Sequence, residues 1–77
     1  MKKMLTMNDV VLSIHSQFNG KIIPHWKLRR VMDSLESSGS LSVQRIGGYR
    51  TISADDVHIV AEELQRLGWL EAEAAHA

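Results

Sequence analysis

The chain has 77 residues, of which nine are basic and nine acidic, so its formal net charge is zero with neutral histidines. This length holds one small domain, and a composition of 44% hydrophobic and 23% charged residues is that of a globular protein. The sequence has no cysteine, which excludes disulfides, thiolate metal sites and cysteine nucleophiles and fits a reducing compartment. No apolar run approaches the roughly 20 residues that span a bilayer. We expect a small cytoplasmic binding module without membrane contact.

The first helix is predicted from a capping pattern and the helical periodicity that follows it. Thr6 and Asp9 have the spacing of a capping box, with an acid in place of the usual Glu or Gln. Four apolar residues then recur at helical spacing, namely Met7, Val11, Ile14 and Phe18. The pattern predicts a helix over about Met7 to His15, which Asn19-Gly20 ends.

A second helix follows a proline and is strongly amphipathic. Pro24 suits the first helical turn, where its missing N–H costs nothing. One apolar stripe is expected to be buried, formed by Leu28, Val31, Met32 and Leu35. Polar residues occupy the other side, namely Lys27, Arg30, Ser34 and Ser37, with Arg29 and Asp33 beside them. The helix is predicted to end near Ser38, before Gly39.

Two alternating runs around Gly47-Gly48 predict a β-hairpin with a two-residue turn. In that register Ile46 faces Tyr49 and Arg45 faces Arg50. Two arginines directly opposite each other are unfavourable on a bare sheet, and a polyanion would relieve the repulsion because guanidinium groups bind phosphate well. The alternative is that both side chains simply extend into water.

A third helix is predicted after a second Ser-x-x-Asp cap at Ser53 to Asp56. Its inner face would carry Val57, Val60, Leu64 and Leu67, and Gly68 would close it. We therefore expect a mainly α domain over residues 1–70 with three short helices and a two-stranded wing, which is the winged helix-turn-helix arrangement. The acidic segment 71–77 is expected to be a flexible tail, either frayed or weakly helical.

The zero net charge conceals a strong asymmetry along the chain. Residues 21–50 carry six basic and two acidic groups, so their charge is +4. Residues 51–77 carry one basic and six acidic groups, so their charge is −5. The basic segment coincides with the second helix and the hairpin, which favours an anionic partner at these elements.

Several short motifs resemble the DNA-binding domain of MerR-type regulators and of phage and plasmid excisionases. Lys27-Leu28-Arg29-Arg30 is similar to the Leu-Arg core of their recognition helix, and Arg45-x-Gly47-Gly48-Tyr49-Arg50 is similar to their wing. The resemblance covers about Leu5 to Leu67. The chain departs from the family in a longer first loop and in a second helix lengthened around Ser34 to Ser37. The family also has a long dimerisation helix and an effector-binding region after the third helix, which we do not expect here.

The resemblance implies a sequence-specific protein for double-stranded DNA, either a small transcriptional regulator or an excisionase-like factor associated with the nucleoid. It implies that the second helix lies in the major groove and that the wing lies on the flanking backbone or minor groove. The DNA-binding residues would be Lys27, Arg29 and Arg30 on the helix and Arg45, Tyr49 and Arg50 on the wing.

A winged-helix module that binds another protein is the alternative function, because fold does not settle function. The acidic third helix and Trp69-Leu70 motivate it, and Trp69 would then contact a second copy or a protein partner. Trp26 and Trp69 are otherwise expected in the core. The four histidines lack metal-ligand spacing and no nucleophile motif is present, so we expect no metal, no cofactor and no enzymatic activity.

Overall fold

The computed structural model describes residues 3–70, so the segment 71–77 expected as a tail lies outside the described residues. The elements in chain order are β1 (Met4–Thr6), α1 (Met7–Gln17), α2 (His25–Ser37), β2 (Gln44–Ile46), β3 (Tyr49–Ser53), a 3-10 turn (Ala54–Asp56) and α3 (Val57–Arg66). They form three helices and a three-stranded antiparallel sheet with the strand order β1-β3-β2. Within residues 3–70, no helix is both long and apolar enough to cross a membrane.

The predicted capping box at the start of α1 is confirmed. The Thr6 hydroxyl accepts a hydrogen bond from the Asp9 N–H at 3.3 Å, and the Asp9 carboxylate accepts one from the Thr6 N–H at 3.1 Å. The helix runs to Gln17, two residues beyond the predicted end. Asn19 and Gly20 follow with positive φ angles, so the chain reverses where the sequence predicts.

Helix α2 begins at His25, and Pro24 is its N-cap rather than its first helical residue. The Pro24 carbonyl accepts from the N–H groups of Lys27 and Leu28, which starts the helical hydrogen bonding. The whole predicted apolar stripe is buried, namely Leu28, Val31, Met32 and Leu35. Burial of this stripe fixes which face of α2 is turned to solvent.

The hairpin of β2 and β3 has the predicted register, with Ile46 opposite Tyr49 and Arg45 opposite Arg50. Gly47 and Gly48 have φ angles of +58° and +84°, the left-handed values that a tight hairpin turn requires. The expected two-stranded wing needs one correction, because β1 pairs with β3 and makes a third strand. Strand β1 has only three residues, and one of them is buried. This is too short a run of alternating apolar and polar residues to predict a strand from the sequence.

The core lies between one face of the sheet and the inner faces of the three helices. Fully buried side chains come from every helix and from β3, including Val10, Ile14, Leu28, Met32, Ile52, Val60 and Leu64. The prediction that Leu67 is buried is wrong, because its side chain is 42% exposed. Helix α3 ends at Arg66 and the chain then turns, so that Leu70 enters the core instead.

The predicted cap at Ser53 lies at the start of the 3-10 turn rather than at the start of α3. The Ser53 hydroxyl accepts a hydrogen bond from the Asp55 N–H at 3.2 Å.

Candidate nucleic-acid interface

The solvent face of α2 carries its basic residues. At 3.6 residues per turn, Arg30 lies opposite the buried stripe and Arg29 lies on one flank. Both side chains are exposed. Asp33 follows them by one turn, and its side chain is 48% exposed. The two arginines and Asp33 therefore occupy neighbouring positions on one helical surface.

An ion pair connects the hairpin to this surface. Arg50 shares a strand face with Ile52, which is fully buried, so its side chain is directed toward the helices rather than away from them. Its Nε lies 3.4 Å from Asp33 Oδ1, and the side chain is 25% exposed. The Nε is buried but makes no hydrogen bond within the described chain, so the contact is a charge interaction without a directed bond. It joins the middle of α2 to the hairpin.

Asp33 changes the interpretation of the opposed arginine pair. The sequence suggests that an external polyanion relieves the repulsion between Arg45 and Arg50, whereas a carboxylate of the chain itself already neutralises Arg50. Arg45 is exposed and has no ion pair among residues 3–70. Of the two wing arginines, Arg45 is thus the one available to an external anion.

Lys27 is directed to the other flank of α2, toward α3. Its Nζ lies 5.4 Å from the centroid of the Trp69 ring, within the range of a cation–π contact. Its charge also contributes to a lowered pKa of Glu63, after the larger effect of the hydrogen bond from Arg66. Lys27 and Arg29 therefore lie on opposite sides of the solvent face.

Trp26 contradicts the expectation that both tryptophans complete the core. Its side chain is 54% exposed, and its ring meets that of Trp69 edge to face with centroids 5.9 Å apart. The signal was present in the sequence, because Trp26 precedes Arg30 by four residues and so shares the solvent face of α2. Sequence reasoning based on the general burial of tryptophan missed it.

The tip of the hairpin carries two large exposed side chains. Tyr49, a predicted site residue, is 68% exposed, and Ile46 directly opposite it is 51% exposed. They lie on the strand face opposite to that of Arg45 and Arg50. Ile46 was not predicted as a site residue, although its pairing with Tyr49 next to the Gly-Gly turn places it at the tip.

Acidic residues lie on α3 and just before it, away from the basic face of α2. Glu63 accepts a hydrogen bond from Arg66 Nε at 2.9 Å, and this bond lowers the pKa of Glu63. A shallow open groove lies between α2 and α3, with lining residues that include Leu35, Ile59 and Glu62. The acidic side of α3 thus lies across this groove from α2, and Lys27 is near enough to contribute to the lowered pKa of Glu63.

The described part of the chain contains no group of three or more histidine, aspartate or glutamate side chains placed to hold a metal ion. A scan against protein-family models found no matching family, and searches of curated proteins and of solved structures found no similar protein. The resemblance to MerR-type regulators and excisionases therefore stays a prediction from the motifs.

Proposed function

We propose that this chain is a winged helix-turn-helix protein that binds double-stranded DNA, with α2 in the major groove and the hairpin on the adjacent backbone. The observation that carries the proposal is that α2 and the hairpin meet at the Asp33–Arg50 contact. Arg29 and Arg30 lie one turn before Asp33 on α2. Arg45 lies opposite Arg50 in the hairpin. The side of the molecule where Asp33 meets Arg50 therefore carries three exposed arginines, namely Arg29, Arg30 and Arg45. A cluster of exposed cations on a helix and a neighbouring hairpin suits a polyanion.

The arrangement of elements supports the winged-helix interpretation. Three helices and an antiparallel sheet share one hydrophobic core, and the last two strands form a hairpin just before α3. The amphipathic α2 presents polar and basic residues to solvent, as a helix in a DNA groove does.

The exposed residues form two groups, one assigned to contacts with base edges and one to contacts with phosphates. Arg29 and Arg30 lie on the solvent face of α2 and would donate to acceptors such as guanine O6 and N7 in the major groove. Arg45 would bind a backbone phosphate, and Tyr49 lies beyond it at the hairpin tip. Lys27, stacked on Trp69, would contribute charge at the edge of the surface. Arg50 is assigned to the contact with Asp33 in the free protein.

One module of this size makes few DNA contacts, so tight binding requires a dimer, repeated sites or a protein partner. The proposed role is that of a small transcriptional regulator or an excisionase-like factor acting on DNA in the cytoplasm. A transcriptional regulator and an excisionase-like factor would both bind DNA through the solvent face of α2 and the hairpin.

Fluorescence anisotropy with a random-sequence duplex over a salt series tests DNA binding. We expect log affinity to fall linearly with log salt, with the slope reduced by about 1 for each phosphate contact removed. Arg45→Ala should reduce the slope, and the double variant Arg29→Ala with Arg30→Ala should weaken binding strongly. Arg66→Ala is the matched control, because it removes one positive charge from α3 and should leave binding unchanged. Absence of binding by the folded wild type at low salt would refute the proposal.

A protein-interaction module is the second candidate, favoured by the exposed Trp26 against Trp69 and by the exposed Ile22 before α2. A homodimer through Trp69 and the end of α3 is its simplest form. Sedimentation equilibrium of the wild type and of Trp26→Ala tests this homodimer. A wild-type dimer that Trp26→Ala disrupts would support it, and a wild type that is monomeric at all concentrations would argue against it.

A further inference from the structure

Trp26 is a large aromatic residue that the fold does not use in its core. Of the large hydrophobic residues in α2, it alone is exposed, to 54%. It belongs neither to the buried core nor to the partly buried residues packed against it, whereas Trp69 is one of the latter. The ring of Trp26 therefore leaves a broad apolar surface in water, which a partner can bury.

The surroundings of Trp26 are the arginines proposed to contact bases. Trp26 is the second residue of α2, and Arg29 and Arg30 follow it by three and four positions, so both are its neighbours on the helix surface. In helix-turn-helix proteins the N-terminal residues of the helix in the groove contact base edges. In the proposed complex the ring of Trp26 would therefore face base edges.

The ring of Trp26 is restrained by Trp69. The two ring centroids are 5.9 Å apart and the ring planes meet at 82°, which is an edge-to-face arrangement. Trp69 itself packs against the core, and Lys27 Nζ lies 5.4 Å from its centroid. Because Trp26 contacts a ring that is itself held in place, it loses less conformational freedom when a partner covers it.

Only one feature of the major groove suits an apolar ring. Adenine, guanine and cytosine present hydrogen-bonding groups there, whereas thymine adds a 5-methyl group. A ring over the polar groups would leave them without partners, but a ring over the methyl group removes apolar surface from water. A protein at this position would also bury the charges of Arg29 and Arg30, which is costly unless both are paired, whereas DNA brings phosphates to them.

We propose that Trp26 contacts the 5-methyl group of thymine in the major groove and gives the protein a preference for that base. The inference rests on the DNA binding proposed above and adds a base preference at the start of α2. The preferred site then has a thymine beside the bases that Arg29 and Arg30 contact. Trp26 determines specificity through apolar contact, and the two arginines do so through hydrogen bonds.

The test compares two duplexes of the same random sequence, one with thymine and one with deoxyuridine in its place. Deoxyuridine lacks the 5-methyl group but keeps the O4 acceptor and the pairing with adenine. By fluorescence anisotropy, we expect the wild type to bind the thymine duplex about threefold more tightly. Trp26→Ala should bind the two duplexes equally. Its salt slope should equal that of the wild type, because no phosphate contact is removed.

Three further variants isolate the ring of Trp26. Trp26→Phe keeps an apolar ring and should retain a preference for the thymine duplex. Leu12→Ala is the matched control, because it removes a side chain of similar exposure, 58%, from α1 and should change neither affinity nor preference. Trp69→Phe leaves Trp26 as the only tryptophan of the chain, and saturating thymine duplex should protect its fluorescence from quenching by acrylamide. Circular dichroism confirms that each variant is folded.

The outcomes distinguish failure of the thymine contact from failure of DNA binding. Equal wild-type affinity for the two duplexes overturns the contact and leaves the proposed function intact, and it is the result expected if Trp26 contacts a protein instead. A preference that persists in Trp26→Ala, or fluorescence that DNA does not protect, also overturns the contact. Wild type that binds neither duplex at low salt overturns both proposals.

Discussion

Replacing Asp33 with asparagine is expected to lower the stability of the fold and to raise its affinity for DNA. The carboxylate contacts Arg50 across the gap between α2 and the hairpin, with Nε and Oδ1 separated by 3.4 Å. Asparagine has nearly the same shape but no charge, so the substitution removes the attraction without creating a cavity. The same substitution removes a negative charge from the surface proposed to face phosphate.

The stability effect follows from the geometry of this contact. At 3.4 Å the Coulomb energy of two unit charges is about 1.2 kcal/mol in the dielectric of water. Asp33 is 48% exposed and Arg50 is 25% exposed, and no directed hydrogen bond supports the pair. Ordering two side chains offsets part of the attraction, so we expect about 0.5 kcal/mol. With a urea dependence of about 1 kcal/mol per molar, the unfolding midpoint should fall by about 0.5 M.

The binding effect has the opposite sign because Arg50 becomes available to a phosphate. One charge-assisted hydrogen bond contributes about 1.5 kcal/mol, so affinity at low salt should rise about tenfold. The slope of log affinity against log salt should steepen by about 0.9. Anisotropy over a salt series measures both quantities.

A double-mutant cycle isolates the ion pair itself. Asp33→Asn, Arg50→Gln and the combined variant are unfolded in urea, and the coupling should equal the 0.5 kcal/mol expected above. Glu36→Gln is the matched control, because it removes an exposed carboxylate from α2 one turn away and leaves the pair intact. A coupling near zero would show that the hairpin is not held by this contact. Weaker DNA binding by Asp33→Asn would show that the carboxylate positions Arg50 rather than competing for it.

The remaining predictions concern the core, a helix cap and acid stability. Leu64→Ala, at a fully buried position, should lower the free energy of unfolding by about 3 kcal/mol in urea titration, whereas Leu67→Ala should lower it by less than about 1 kcal/mol; equal losses would contradict the described end of α3. Thr6→Ala should cost about 1 kcal/mol through loss of the capping box, and Thr6→Ser should restore most of it; an unchanged midpoint for Thr6→Ala would refute the cap. The hydrogen bond from Arg66 lowers the pKa of Glu63. The stabilisation of the fold by this bond is therefore complete above the ordinary carboxyl pKa and is lost as the pH falls through the lowered pKa of Glu63. Arg66→Gln should return the pKa of Glu63 to its ordinary range in a carboxyl NMR titration, and a pKa that stays low would contradict this cause.

Local patterns in the sequence predicted the elements that local interactions determine. The Gly47-Gly48 turn joins two alternating runs, so the register of Arg45 and Arg50 follows from the turn alone. The capping box and the buried stripe of α2 depend on neighbours three or four residues away in sequence, and both are confirmed. Arg29 and Arg30 are exposed for the same reason, because the stripe fixes the opposite face.

Features that depend on distant parts of the chain were not predicted. Strand β1 exists because β3 offers a partner for Leu5, and nothing within three residues indicates that pairing. The burial of Leu70 in place of Leu67 depends on where the last turn of α3 leaves the core. The contact between Asp33 and Arg50 joins residues from two elements whose separation only the complete fold determines.

The opposed arginines show how a local conflict in a sequence indicates a site. A pair of like charges across a hairpin is unfavourable, and a nearby anion relieves the repulsion. Asp33 satisfies this need for Arg50 only, so Arg45 is left exposed at a position that the fold determines relative to Arg29 and Arg30. A phosphate meeting Arg45 would then require little reorganisation of the hairpin, which reduces the entropic cost of binding. The ion pair contributes little to stability, and under the proposed function its main effect is to occupy Arg50, so that Arg45 is the hairpin arginine left for a phosphate while Asp33 is present.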